Sequence, residues 1–184
     1  MKDAYAKAGV DIAAKNVSNR LVGEVLSKTF RPEVVGGAGF FGGMYEFKGY
    51  KNPVLVSSTD SVGTKTKIAI VLDRYDTVGI DIVNHCVNDI FTSGAAPVFF
   101  LDYIGIGKLV PEKVATIVEG LAKACADVGC VLIGGETAEL ADVYSGDDYD
   151  LAGFVVGAIE KDEIIDGSTI KAGDVVLGLP SNGL

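Results

Sequence analysis

The sequence predicts an α+β domain, a mixed sheet packed against helices, and three observations predict it. Three stretches carry apolar residues at helical spacing. Several short apolar runs end in glycine, proline or acidic turns, as strands do. The order of the elements is helix, hairpin, helix, strand, helix, strand, strand, strand, which suits a layered α+β arrangement better than a strict βαβ repeat.

The first helix is expected between Val17 and Phe30, where Leu21, Val22, Val25 and Leu26 form one face. It gives way to the turn-rich loop "RPEVVGGAGFFGG". "MYEF" and "NPVLVSSTD", separated by "KGYK", are expected to pair as a hairpin whose second strand delivers Asp60 at its end. A helix-like pattern also follows Lys65. Val83, Cys86, Val87, Ile90 and Phe91 then share a face of the next helix, with Asp76 or Thr77 as N-cap and Gly94 near its end. "APVFFLDYIGIG" reads as a buried strand. Val114, Ile117, Val118, Leu121, Cys125 and Val128 recur at helical spacing behind Pro111, and Gly129 stops that helix. "CVLIGGETAEL", "LAGFVVGAIE" and "DVVLGLP" supply further strands. The chain ends at "LPSNGL", inside turn chemistry, which reads as a truncation.

With 184 residues, 48% of them hydrophobic, there is material for one sizeable core, or for one domain plus the start of another. A formal charge of −9 disfavours a sequence-independent grip on nucleic acid or an anionic membrane, since both select for basic patches. No apolar run approaches the roughly 20 residues of a membrane span. The segment "MKDAYAKAGV" lacks the apolar core of a signal peptide, so a cytoplasmic protein is expected. Cys86, Cys125 and Cys130 form no C-x-x-C pair and read as small buried apolar residues.

Gly37, Gly39 and Gly42 satisfy G-x-G-x-x-G, and Asp60 follows at about the distance of a ribose-binding acid. A dinucleotide fingerprint must open a helix, however, and "MYEFKGYKNP" leaves no room for one. The loop is therefore either a plain turn or a mobile cover for phosphate. "DSVGTKTK" lacks the spacing of a Walker A loop, yet Asp60, Ser61, Gly63, Thr64 and Lys65 gather a carboxylate, hydroxyls, a backbone nest and an ammonium within six residues. Such a turn can serve phosphate and a hard metal together.

On the helix that follows, Asp81, Asn84, His85, Asn88 and Asp89 fall on one stripe. These are poor helix formers where a solvated face would use Glu and Lys, so the stripe reads as facing a site. His85, the single histidine, reads as structural rather than as a general base. Glu136 and Glu139 in "GGETAEL" either cap a loop, complete an Mg²⁺ environment beside Asp60 and Asp89, or hold a cationic nitrogen of a substrate. The acids of "YSGDDYD" read as solubilising.

Seven blocks in this order, "YAKAGVDIAAKN", "GGAGFFG", "SSTDSVGTKTKIA", "GIDIVNHCVNDI", "FFLDYIGIGKL", "GGETAEL" and "YDLAGFVVGAIEKDEIIDG", resemble the N-terminal half of the phosphoribosylformylglycinamidine cyclo-ligase (AIR synthetase) family of the PurM-like superfamily. The resemblance implies ATP- and Mg²⁺-dependent closure of the imidazole ring of formylglycinamidine ribonucleotide, giving aminoimidazole ribonucleotide, ADP and phosphate in purine biosynthesis. It implies that Asp60 and Asp89 hold Mg²⁺ on the ATP phosphates. The segment Gly36 to Gly43, with Gly37, Gly39 and Gly42, would cover the nucleotide, and Lys28 would lie near it. Ser61, Gly63, Thr64 and Lys65 would meet phosphates or substrate, and Asn88 and Glu136 join the residues expected at the nucleotide.

The resemblance further implies a PurM-like N-terminal domain over residues 1–170 that joins its sheet to that of a second copy as a barrel. Residues 171–184 would open a C-terminal domain, and without that domain the chain would be inactive. Ser145 stands where many members have histidine, and Ala141-Asp142-Val143 replaces a Pro-Gly-Met run, so no catalytic role carries over to that loop. Another ATP-using synthetase or kinase of the superfamily, or a non-catalytic nucleotide-binding dimerisation module, is the alternative.

Overall fold

A computed structural model describes residues 11–38, 40–181 and 183. Helix α1 spans Ile12–Ser27, and the Asp11 side chain caps it by accepting from the Ala14 N–H at 3.0 Å. That cap starts the helix five residues before the predicted Val17. At its end the buried Thr29 hydroxyl accepts from the Leu132 N–H at 3.1 Å, fastening the helix to the sheet.

The predicted hairpin is corrected. β1 (Val34–Val35) and β2 (Met44–Tyr45) pair with each other in a two-stranded ribbon, while β3 (Pro53–Ser61) joins the main sheet. "KGYK" does turn the chain, but β3 finds nine residues of antiparallel register on β6 (Tyr149–Glu160) and only a short segment beside it in sequence. The ribbon makes the glycine segment the tip of its own hairpin. Gly36 and Gly37 both take positive φ there, 87° and 73°, where a side chain would be strained.

Beyond β3 come α2 (Lys65–Leu72), which the predicted order omits, α3 (Val78–Phe91), β4 (Ala96–Ile106), α4 (Pro111–Asp127) and β5 (Val131–Glu139). The main sheet runs β3-β6-β4-β5. β4 and β5 are parallel, joined through α4, and the other two pairings are antiparallel. The mixed α+β sheet is thus as predicted. "DVVLGLP" is not a strand: Val176, Leu177 and Leu179 are almost fully exposed, and the run has no sheet partner among the described residues.

Strand alternation sorts the sheet into two faces. Phe100, Ile104, Leu132, Leu151 and Val155 pack with Ile82, Val83, Val114, Val118 and Leu121 of α3 and α4 in one core. The two helices approach closely because Gly79 lies against the Ile117 carbonyl and Gly120 against that of Asp76, with no room for a Cβ at either. Cys86, Cys125 and Cys130 are buried and free, as expected. The other face is open: Leu55, Tyr103 and Phe154 stand on it at 63%, 38% and 40% exposure. Among the described residues no helix is long and apolar enough to cross a membrane.

Candidate functional site

The predicted residues fall at opposite edges of the sheet. At the β3 edge, Val54, Val56, Ser58 and Asp60 point toward α3 by alternation, which brings Asp60 to the polar stripe of that helix. Asp60 Oδ1 accepts from the Ser61 N–H at 2.7 Å, and Oδ2 lies 3.7 Å from His85 Nδ1. Ser58 Oγ donates to Asp89 Oδ2 at 2.6 Å. Lys65 Nζ reaches Asp81 Oδ2 at 3.1 Å. Asp60, Lys65, Asp81, His85 and Asp89 thus share the groove between β3 and α3.

The turn between them is open. Gly63 takes φ 70° and a Cβ there would meet nothing within 4 Å. Thr64 precedes α2 without capping it, so its hydroxyl is free for other work. Asn88 is exposed on the same stripe, beside Asp89. Burial of Cys86 behind the stripe pushes its thiol up to about 11, keeping it protonated and inert. Lys65 and Asp81 are about one-third exposed, so their pairing contributes little stability. It does hold the ammonium toward the stripe.

The β5 edge carries a cleft of about 690 Å³ between α1, the glycine segment and β5. Gly37 and Gly42 line it with Glu136, while Gly39 lies outside the described residues. Lys28 sits exposed at the C-cap of α1 and does not line the cleft. β3 and β5 are the two edge strands, three strand spacings apart, or roughly 14 Å. Glu136 is therefore not beside Asp60 and Asp89 within this chain, which corrects the reading of an Mg²⁺ environment shared by the three. Its register opposite Tyr103 turns it toward the open face.

Sequence reasoning missed three features here. Phe40 and Phe41 stand exposed at the tip of the glycine segment and line the cleft. Ser58 was passed over although it binds Asp89. Asp102, on β4, is 9% exposed and lines the same cleft. Burial pushes its carboxyl up to about 7, with the nearby Glu136 charge adding to the rise. The available signal was an acid in the middle of an apolar strand, "FFLDYIG". Among the described residues no three His, Cys, Asp or Glu side chains gather as a ready metal cage.

Residues 43–159 match the family described as AIR synthase related protein, N-terminal domain. A phosphoribosylformylglycinamidine cyclo-ligase of Geobacillus kaustophilus is 58% identical over 186 residues, covering 100% of this chain and 54% of that protein. One from Acetivibrio thermocellus is 58% identical over 182 residues, covering 98% and 54%. The chain spans about half the length of the relatives it matches. Among solved structures, hydrogenase maturation protein HypE in complex with ATP superposes with a TM-score of 0.59 at 20% identity, over 84% of this chain and 43% of that one. Thiamine-monophosphate kinase from Stenotrophomonas maltophilia gives 0.61 at 15% identity, over 79% and 43%. These two share its fold.

Proposed function

This chain belongs to the AIR synthase related N-terminal domain family, and on that footing we propose that it is the phosphate-handling and dimerising half of a cyclo-ligase that closes the imidazole ring of formylglycinamidine ribonucleotide. The observation that carries the reading is the groove between β3 and α3, where Asp60 opens the Ser61–Lys65 turn and Asp89 accepts from Ser58 on the same strand. Mg²⁺ takes one or two carboxylates and fills its remaining positions with phosphate oxygens and water, so two acids and no third fit it. Asp60 and Asp89 would hold it, and it would supply charge neutralisation on the transferred phosphoryl group.

The chain's own groups do the rest. Thr64 and Lys65 meet phosphate oxygens, Ser61 and the Gly63 backbone shape the turn, and Asn88 orients beside Asp89. In the reaction the formyl amide oxygen takes the γ-phosphoryl group of ATP and releases ADP. The amidine nitrogen then attacks that carbon, and the C–O bond breaks with the electron pair leaving on phosphate. A proton lost from the nitrogen and restoration of ring unsaturation complete aminoimidazole ribonucleotide. Residues 171–184 open a second domain that supplies further walls, so this chain alone does not turn over. The setting is purine synthesis in the cytoplasm. A coupled ADP-release assay on the full-length protein tests the reading: ADP formed only with formylglycinamidine ribonucleotide present supports it, and substrate-independent or absent release contradicts it.

Two further expectations arise from this reading. The glycine segment, with Gly37, Gly39 and Gly42, would close over the nucleotide beside Glu136, while Lys28 stands outside that cleft. Its amides should exchange more slowly when Mg²⁺–ATP is added to the full-length protein, because bound phosphate offsets the entropic cost of ordering glycine. Unchanged exchange would leave the segment a plain turn. The second expectation concerns the open face of the sheet, where Leu55, Tyr103 and Phe154 are exposed. A second copy would cover it, the two sheets joining as a barrel and removing unpaired edges. Sedimentation should give a homodimer, and a stable monomer would contradict this.

A further inference from the structure

We propose that the acidic loop between β5 and β6 is a positioning clamp for the phosphate turn: Asp148 holds Lys67 in the first turn of α2, and through α2 it fixes where Thr64 and Lys65 stand. The role in phosphate binding rests on the cyclo-ligase reading, and the clamp itself on the contacts of α2.

Burial gives α2 little hold on the rest of the domain. Of its eight residues only Thr66 and Ala69 are buried, while Ile68, Val71 and Leu72 are exposed. Helices in proteins owe most of their stability to packed apolar area, and two small side chains supply little of it. Both ends of the helix are turns, with Gly63 at φ 70° ahead of it and the C-cap Asp73 at φ 47°. Ion pairs meet it near both ends. Lys67 Nζ lies 2.6 Å from Asp148 Oδ1, and Lys113 Nζ of α4 lies 3.7 Å from Asp73 Oδ1. The Lys67 N–H donates to the Thr64 carbonyl at 3.0 Å, and the Thr66 hydroxyl donates to that of Gly63 at 2.9 Å. A shift of Lys67 therefore carries the turn with it.

An ion pair positions one partner only when the other is itself fixed, and the loop is. The Asp148 N–H donates to the Ser145 carbonyl at 3.0 Å. Tyr149, the next residue, is buried against Tyr75, with ring centroids 5.8 Å apart. Lys113 donates to the Tyr75 hydroxyl at 3.0 Å and to Asp147 Oδ1 at 3.4 Å, so one ammonium joins α4, the loop and the C-terminal end of α2. The Val62 N–H donates to the Leu151 carbonyl at 2.9 Å, which brings the phosphate turn to the same corner of the sheet. Asp147 and Asp148 thus do more than solubilise the surface. A single pair as exposed as Lys67–Asp148 adds little to global stability, but a network of such pairs selects one position for a helix that burial leaves loosely held.

The sign of the effect tests the clamp. Removing an acid near a polyanion site should, by charge alone, tighten binding, whereas losing the clamp should weaken it. Mg²⁺–ATP binding to the full-length protein, measured by calorimetry without formylglycinamidine ribonucleotide, is expected to weaken about three- to fivefold in Asp148→Asn and roughly tenfold in Asp148→Lys, where like charges push α2 off the loop. Adding Lys67→Glu to Asp148→Lys rebuilds the pair in reverse and should bring binding back to within about twofold of the parent. In turnover the KM for ATP should rise while kcat changes by less than about twofold, with the thermal midpoint unchanged. Equal or tighter binding in Asp148→Asn or Asp148→Lys, or no recovery in the reversed pair, overturns the clamp. Recovery of Asp148→Asn by raised Mg²⁺ also overturns it, since Asp148 would then act on the metal directly. If binding responds as expected in a protein that closes no imidazole ring, the cyclo-ligase reading fails and the clamp stands.

Discussion

Asp60→Asn and Asp89→Asn, each made in the full-length protein, are expected to lower ATP-dependent turnover by about 10²–10³-fold, or about 3–4 kcal/mol of transition-state stabilisation. Asparagine keeps the shape of each side chain and removes its charge. The fold should not notice. Asp60 is about half exposed, its Oδ1 bond is to the neighbouring Ser61 N–H, and Ser58 Oγ can donate to an asparagine carbonyl at position 89 as it does to the carboxylate. On the proposed reading, what would be lost is the charge that holds Mg²⁺, and with it the neutralisation that the ion would supply to the transferred phosphoryl group. Raising Mg²⁺ should recover part of the loss if the acids act through the metal. Turnover near wild type at limiting Mg²⁺ would remove both residues from the site.

Phe100→Ala is expected to lower the stability of the domain by about 3–5 kcal/mol, seen as a lower urea midpoint with little change in slope. Phe100 is fully buried on β4, and its ring occupies the space that Gly153 of β6 leaves free. Ile82 of α3 closes the same space from the helix side. Strand backbone bounds the resulting cavity, and backbone cannot collapse into it as a flexible side chain would. A loss under about 1 kcal/mol would mean that the sheet and α3 are not packed around this ring.

Much of this arrangement is legible in the sequence where information is local. The stripe Asp81, Asn84, His85, Asn88 and Asp89 is readable because helical spacing alone puts those residues on one side, and Asp60 because a strand must end where "SSTDSVG" turns. The pairing of β3 with β6 is not readable, since it joins residues about a hundred apart and no local turn announces it. The same blindness hid the distance between Glu136 and the two aspartates: both ends look like acids after a strand, and only the order β3-β6-β4-β5 separates them. Asp102 was missed for a related reason. Its burial depends on Gly135 across the sheet, and in "FFLDYIG" it is one acid in an apolar run. "DVVLGLP" has the composition of a strand, but a strand is defined by a partner, and none pairs with it among the described residues.

In the proposed reaction the formyl oxygen leaves as phosphate, and an isotope experiment tests that transfer most directly. Formylglycinamidine ribonucleotide labelled with ¹⁸O in its formyl oxygen is incubated with ATP, Mg²⁺ and the full-length protein, and the phosphate released is analysed by mass spectrometry. If the amide oxygen leaves as phosphate, each aminoimidazole ribonucleotide formed is matched by one phosphate carrying one ¹⁸O. Ring closure with unlabelled phosphate, the label passing to water instead, would contradict the account.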